Sequence, residues 1–592
     1  MFNPCHPMID AHHQLLLQRY IKDSIWGNKG MIILPISQHF IILCFLGSKN
    51  LAELFLFLSY YAFFFVPLHL SNYIGSMKLK KIVTNDIKKC HPNQNPCQTD
   101  QYYQRLANRL QDGFCSLGKI IEERTAEVIH RGAIMLANYM EDIVADSGQW
   151  RTFSNLCQKL YGHPVPLFHK DEEYYPDEPS LNAIRYLLWS VGSDVSGEFV
   201  LSDSKAMEEM AIAAYDILEE AFEEAPVNEQ LAEDINSELR LATEGFDQLR
   251  SVLMWLFTSC YLTTGEQNDE LLRKHVEELL RLAECGDIPD LSPGMALFYA
   301  STKSIFDYQI GPLALYPKDY LAAMMRTKNM EHQAEDVDKI EMIGMGTYKY
   351  EPIKTGFKLL NRAPKTERLR LTRTNGKEIE IEARELNLPE EELKNFDGFM
   401  ASSFVFYQGE WHLNGILFPL SETSKKWKEL CEDDKENLKP GTATLTADKM
   451  LKRTNGQQIA YFADLEQLKD FLEEKIRFPR HMLNFIDERG GELPTLFIDT
   501  EEPKDCLQFF YGYSPCIADP DNPFYDEEKA REEAVNMLWD AESVTTHALN
   551  YLLEHNYLPD IYDDEVLSRF STPTEKRHDI DFLMRFYRRE NY

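Results

Sequence analysis

The sequence predicts an α+β multidomain protein: an α-helical N-terminal domain followed by an α+β domain with an antiparallel sheet. Three observations predict it. From Thr99 to about Met330, apolar residues recur near a period of 3.6. From about 345, the pattern changes to alternating apolar and polar residues around short turns. The chain has 592 residues, 44% of them hydrophobic, enough for about three or four cores of ordinary size.

Residues 1–76 differ from the rest. They hold four basic side chains (Arg19, Lys22, Lys29, Lys49) and three acidic ones (Asp10, Asp23, Glu53), so the net charge of −34 is carried beyond them. Two apolar runs lie here, Met31–Leu46 and Leu51–Leu70; the second contains FLFLSYYAFFFVPLHL. A membrane helix needs about 20 apolar residues. The first run is short and holds Pro35, and the second holds Glu53 and Pro67. Basic residues on both sides would keep both ends of a two-run hairpin in the cytoplasm. The rival reading is a false start, with translation beginning at Met77 in MKLKKI. The break in composition favours it, and the polypeptide is expected to start at Met77. Membrane anchoring through 31–70 is the alternative.

Residues 77–330 form the helical domain. Asp100–Phe114 follows Thr99, a plausible N-cap. Ile129, Leu136, Met140 and Ile143 share a face, as do Met207, Met210, Ala214, Leu218 and Ala221. The acidic stretch HKDEEYYPDEPS, His169 to Ser180, reads as a connection leading to a helix that starts near Ser180. Residues 331–344 are a polar linker.

Residues 345–592 form the α+β domain. Arg368–Arg373 and Lys377–Glu382 flank Asn375-Gly376, which is a hairpin signal because both turn residues need φ > 0. Phe399–Gln408 and Trp411–Leu420 flank Gly409-Glu410. LTRTNGKEI at 371–379 returns as LKRTNGQQI at 451–459, and two hairpins with one favoured turn explain this more simply than a duplication. A helix at Leu465–Ile476, strands at Leu493–Asp499 and Leu507–Tyr511, and helices at Asp526–His555 and Asp579–Arg589 follow.

The stretches YYPDEPSLNAIRYLLW (174–189), ILEEAFEEAPVNEQL (217–231), CIADPDNPFYDEEKA (516–530) and DIDFLMRFYRRENY (579–592) carry a resemblance. The chain from about Met77 to its last residue resembles an uncharacterised bacterial family known only as a domain of unknown function. The resemblance implies no activity. It implies an opening Lys-rich segment like that at Met77.

Candidate sites are few. Glu410, His412 and Asn414 in GEWHLNG project from one strand face, and a carboxylate beside an imidazole suits acid–base work. A polar strand face is the simpler account. Asp519, Asp521 and Asn522 have calcium-loop spacing, but Phe524 and Ala530 stand where Gly and Glu are needed. Residues 349–384 hold ten basic side chains against five acidic ones, with Arg368, Arg370, Arg373 and Lys377 around the hairpin. That strip suits a phosphate backbone, or it docks onto the acidic helices of the same chain, the simpler reading. Arg585, Arg588 and Arg589 complement the dipole of the last helix.

No cofactor or metal motif occurs, and the scattered, odd-numbered cysteines suit free thiols in a reducing cytoplasm. The chain is therefore read as a cytoplasmic interaction or structural protein with an unidentified protein partner. The alternative is a nucleic-acid-associated protein using 349–384, although the net negative charge opposes it. An enzyme with a site assembled from distant residues comes third.

Overall fold

A computed structural model describes residues 31–35, 41–45 and most of 79–592. Outside the described residues lie 1–30, 36–40, 46–78, 118–122, 170–173, 198–199, 201, 203, 286–290, 354–367, 387–397, 421–426, 430, 433–445, 479, 481–482, 484–485, 487–490, 502–505, 560–571 and 590–591. The chain divides into two units, Met1–Met77 and Lys78–Tyr592. In the first, β1 (Met31–Pro35) pairs antiparallel with β2 (Ile41–Phe45), Met31 opposite Phe45. The first apolar run is thus extended at these residues, where a membrane hairpin would be helical; the second run, Leu51–Leu70, lies outside the described residues. Among the described residues no helix is long and apolar enough to cross a membrane.

The second unit opens with helices: α1 (Thr84–Lys88), α2 (Asp100–Ser116), α3 (Glu123–Ala145), α4 (Gln149–Tyr161), α5 (Leu181–Ser196), α6 (Lys205–Phe222), α7 (Glu229–Leu241), α8 (Phe246–Thr258), α9 (Glu266–Cys285), α10 (Pro293–Asp307), α11 (Pro317–Thr327) and α12 (Glu331–Asp338). Local chemistry sets several starts. Ser180 accepts a hydrogen bond from Ala183 N–H, Asn228 from Leu231 N–H, and Ser292 from Met295 N–H with Pro293 in the first turn. Thr99 precedes α2 but makes no side-chain cap bond. The apolar stripes are buried as their period requires: Leu136 and Met140 in α3, and Met210, Ala214 and Leu218 in α6. The stretch read as a polar linker is helical over Glu331–Asp338, and a strand begins at Glu341.

One buried carboxylate organises the turn between α3 and α4. Asp142 accepts from Ser147 Oγ (2.5 Å), from the N–H groups of Gly148 (3.1 Å), Gln149 (3.2 Å) and Trp150 (2.6 Å), and from the Tyr261 hydroxyl (2.8 Å). It supplies the cap that Gly148, the residue before α4, has no side chain to provide. Burial pushes its carboxyl up against these five donors, which favour the charged form.

The middle of the chain is a closed barrel of β3 (Glu341–Ile353), β4 (Arg368–Arg373), β5 (Glu378–Glu382), β6 (Phe399–Tyr407) and β7 (Glu410–Leu420), in the order β3-β4-β5-β7-β6. All pairings are antiparallel except β5 with β7. Tyr348, Leu369, Leu371, Ile379, Ile381, Met400 and Phe404 fill it. Closure leaves no free sheet edge. The second turn pair is Gln408-Gly409, with φ of 50° and 85°, one residue earlier than the sequence suggested.

Next come α13 (Ala447–Arg453), β8 (Ile459–Tyr461), α14 (Leu465–Phe471, with a π turn to Ile476), β9 (Thr495–Ile498) and β10 (Leu507–Phe510), the strands forming an antiparallel sheet β10-β9-β8. The repeated Thr-Asn-Gly therefore has two settings. Asn375-Gly376 turns a hairpin, whereas Asn455-Gly456 ends α13 and leads into β8.

The chain then forms α15 (Glu527–Trp539), α16 (Thr546–Glu554) and α17 (Pro573–Arg588). Helix α17 starts at a capping box, Thr572 with Glu575, six residues before the expected Asp579. It packs on α4 and α5: Phe586 lies 4.9 Å and Phe582 5.9 Å from the Trp189 ring, and Phe582 is 6.1 Å from Tyr161. Arg588 serves another helix besides its own. It is buried and donates to the carbonyls of Met537, Leu538 and Val544, closing the end of α15, and burial pushes its guanidinium down to about 10.

Candidate functional site

The barrel gathers the residues singled out in its sequence. Alternation along β7 sends Trp411 and Leu413 toward the barrel core and His412 and Asn414 outward, toward the helices. The His412 ring stacks on Phe246 of α8 at 4.7 Å and 13°, and Nδ1 lies 3.4 Å from Glu385 Oε2. The carboxylate beside this imidazole is thus Glu385, just after β5, and not Glu410. Glu410 sits opposite Tyr407 at the turn. Asn414 is buried and donates to the Thr302 carbonyl (2.9 Å) in α10.

Neighbouring contacts extend the same seam. Ile416, Phe418 and Met345 pack on Tyr299, Ala296 and Leu279. The tip of the β6–β7 hairpin latches onto the end of α7, with the Tyr407 hydroxyl on Ala242 O (2.7 Å) and Gln408 Nε2 on Thr243 O (2.8 Å). Gly415 allows the close approach: its φ is +89°, and a Cβ there would meet Tyr299 and Thr302 at 3.0 Å. GEWHLNG is therefore a docking seam, and a covered imidazole with a carboxylate on one nitrogen is held rather than poised. Glu385, Phe246 and Thr302 carried no signal in the sequence, since each is brought in by tertiary packing.

The basic strip lies on β4, away from that seam in register. Leu369 and Leu371 point inward, while Arg368 and Arg370 point out. Strand β5 alternates in step, with Glu378, Glu380 and Glu382 outward. Arg368 stands opposite Glu382 and Arg370 opposite Glu380. Arg370 Nη2 is 3.2 Å from Glu380 and its Nε 4.0 Å from Glu378. Arg373 crosses Gly346 to donate to Met345 O (3.2 Å), and Lys377 lies 5.5 Å over the Trp411 ring. Arg370, Arg373 and Lys377 are thus partnered within the barrel, and Arg368 faces Glu382 in register, while β7 and β3 make the barrel's apolar contact with the helices.

The other candidates resolve as follows. Asp519 is buried, accepts from the Tyr461 hydroxyl (2.8 Å) and closes a turn with Asp521 N–H, while Asn522 donates to the carbonyls of Ser514 and Ile517. The trio shapes a turn before α15. A pairing that the sequence did not suggest joins β9 to α16: buried Asp499 lies 2.7 Å from His547 Nδ1, and Glu501 3.5 Å from Nε2. Both ring nitrogens face carboxylates, so the ring has no nitrogen aimed at a nucleophile. Among the described residues, only His163, His169 and Glu575 converge at metal-ligand spacing; they belong to the loop after α4 and to α17.

Comparison with known proteins adds one match. The profile of the family described as "Protein of unknown function (DUF3843)" covers residues 81–348 and 425–589. The barrel from Lys349 onward falls between the two matched segments. No curated protein matches the chain, and no solved structure matches it.

Proposed function

Because the chain belongs to that family, whose description assigns no activity, we propose that it is a cytoplasmic interaction protein. Its helices carry the barrel, and the β4–β5 ladder meets a protein partner. The observation that carries this reading is the ion pairing of Arg370 with Glu378 and Glu380 across an exposed hairpin, where Arg368 stands opposite Glu382 in register. A phosphate backbone is bound by cations whose charge is not already answered, and binding gains from counterion release. Here Arg370 is ion-paired to two carboxylates, and Arg368 lies in register with a third. Interleaved charges of both signs suit a protein surface of complementary pattern, where they fix register and exclude wrong partners. The net charge of −34 acts in the same direction. Among the described residues, the cysteines from Cys90 to Cys516 form no disulfide with one another, which supports a reducing compartment.

The test is affinity capture from the native source with the full chain and two charge-reversal variants, R368E/R370E and E378R/E380R. A partner held by the wild type and lost from both variants is expected. Titration with duplex DNA and single-stranded RNA across a salt series runs beside it. Nucleic-acid affinity that falls steeply with salt and disappears in R368E/R370E/R373E would overturn the reading in favour of the nucleic-acid alternative.

A further inference from the structure

We propose that the chain binds a divalent transition metal of the zinc class through His163, His169 and Glu575, with Asp579 holding His169 in place. The parts come from two segments. Helix α4 ends at Gly162 (φ +75°), which turns the chain into the loop carrying both histidines. Leu167 (φ +63°) lies between them, and its N–H donates to Asp579 Oδ1 (3.3 Å). The two rings stack at 4.2 Å and 12°. His163 Nε2 is 3.6 Å from Glu575 Oε1, and His169 Nε2 is 3.2 Å from Asp579 Oδ2. One donor atom from each of His163, His169 and Glu575 lies within 4.8 Å of the others.

Two separate histidine–carboxylate contacts are the plainer account, yet neither of them requires the donor atoms of His163, His169 and Glu575 to converge on one point, as they do within 4.8 Å. Two nitrogens and a carboxylate oxygen are the donor set of zinc and its neighbours. Tetrahedral bonds of about 2.0–2.1 Å put donors roughly 3.3 Å apart, so the observed spacing needs a side-chain shift of about 1 Å. Glu575 is pre-set: its Oε2 accepts from Thr572 N–H in the capping box, and Oε1 is the oxygen on the His163 side. Asp579 plays the part that carboxylates commonly take behind ligating histidines. The side chains of His163 and Glu575 are 24% and 25% exposed, against 6% and 4% for His169 and Asp579, so the group has a solvent-facing rim and a closed floor.

The full-length protein, treated with a chelator and dialysed against zinc, tests this. The expected result is one zinc per chain by elemental analysis, and visible absorption bands of a low-symmetry site when cobalt(II) replaces it. His163→Gln and His169→Gln should each weaken binding by at least about a hundredfold, and Asp579→Asn by about tenfold to a hundredfold. Glu575→Gln retains a capping partner yet loses the anionic ligand, so the fold should hold while zinc no longer raises its unfolding temperature. His332→Ala, at a 97% exposed side chain, should change nothing. Substoichiometric zinc in the wild type, or full zinc in both histidine variants, would overturn the proposal.

Discussion

Asp142→Asn offers the sharpest test of how the helical part holds together. The substitution keeps size and shape and replaces one oxygen by an NH2 group. The two lobes of the carboxylate are both surrounded by donors: Ser147 Oγ, Gly148 N–H and Gln149 N–H at Oδ1, Trp150 N–H and Tyr261 O–H at Oδ2. An amide placed the better way round still turns its NH2 toward two donors. Two buried hydrogen bonds are lost at about 1–3 kcal/mol each, which gives about 3 kcal/mol once partial relaxation is allowed. Tyr261→Phe removes a single donor and should cost about 1 kcal/mol. Urea unfolding followed by tryptophan fluorescence measures both, with the slope against urea unchanged. Amide exchange at Gln149 and Trp150 localises the damage to the start of α4. A loss below about 1 kcal/mol for Asp142→Asn would refute the argument that this carboxylate is the cap of α4.

Two further outcomes follow from single residues. Burial, aided by Lys303, pushes His275 from 6.5 down to about 4, and its Nδ1 lies 2.9 Å from the Tyr308 hydroxyl; the folded state holds the ring neutral, so its contribution is intact above about pH 6.5 and is lost as pH falls toward 4. That is on the order of 1–3 kcal/mol at the acid end, and unfolding at pH 7 and pH 4.5 should show a smaller acid loss in His275→Gln than in the wild type, equal losses counting against the assignment. Gly415→Ala should cost about 1–3 kcal/mol, because it forces a positive φ on alanine and a Cβ against Tyr299, and limited proteolysis should then release the barrel earlier than in the wild type.

What could be read in the sequence was local. Asn375-Gly376 marked its hairpin correctly, although only Gly376 takes a positive φ (86°) there, and Ser180 marked the start of α5 because its hydroxyl reaches Ala183 N–H. The alternation of β4 showed which arginines face outward, yet not that Glu380 and Glu382 stand opposite them, because register is fixed by pairing. Barrel closure rests on the parallel pair Ile381 and Trp411, which no short-range pattern encodes. His163 and Glu575 are about four hundred positions apart, so their approach is invisible until α17 is placed against α4. Arg588 shows the same limit: the sequence explains a cation at a helix end, but not that its guanidinium serves the carbonyls of α15.

The seating of α17 has a consequence for how the protein comes to be made. Trp189 and Tyr161 leave the ribosome early, and the rings that cover them, Phe582 and Phe586, are about four hundred residues behind. At about 5–20 residues per second, the wait is roughly 20–80 s. During that interval α4 and α5 present an uncovered aromatic surface, the kind that holdase chaperones bind and that drives nascent chains to associate. The barrel has no such dependence, since its five strands lie within eighty consecutive positions and its core is its own. Translation-arrested chains ending just before Pro573 should therefore carry a protease-resistant barrel beside protease-sensitive α4 and α5, and resistance throughout would show that the aromatic surface finds another cover.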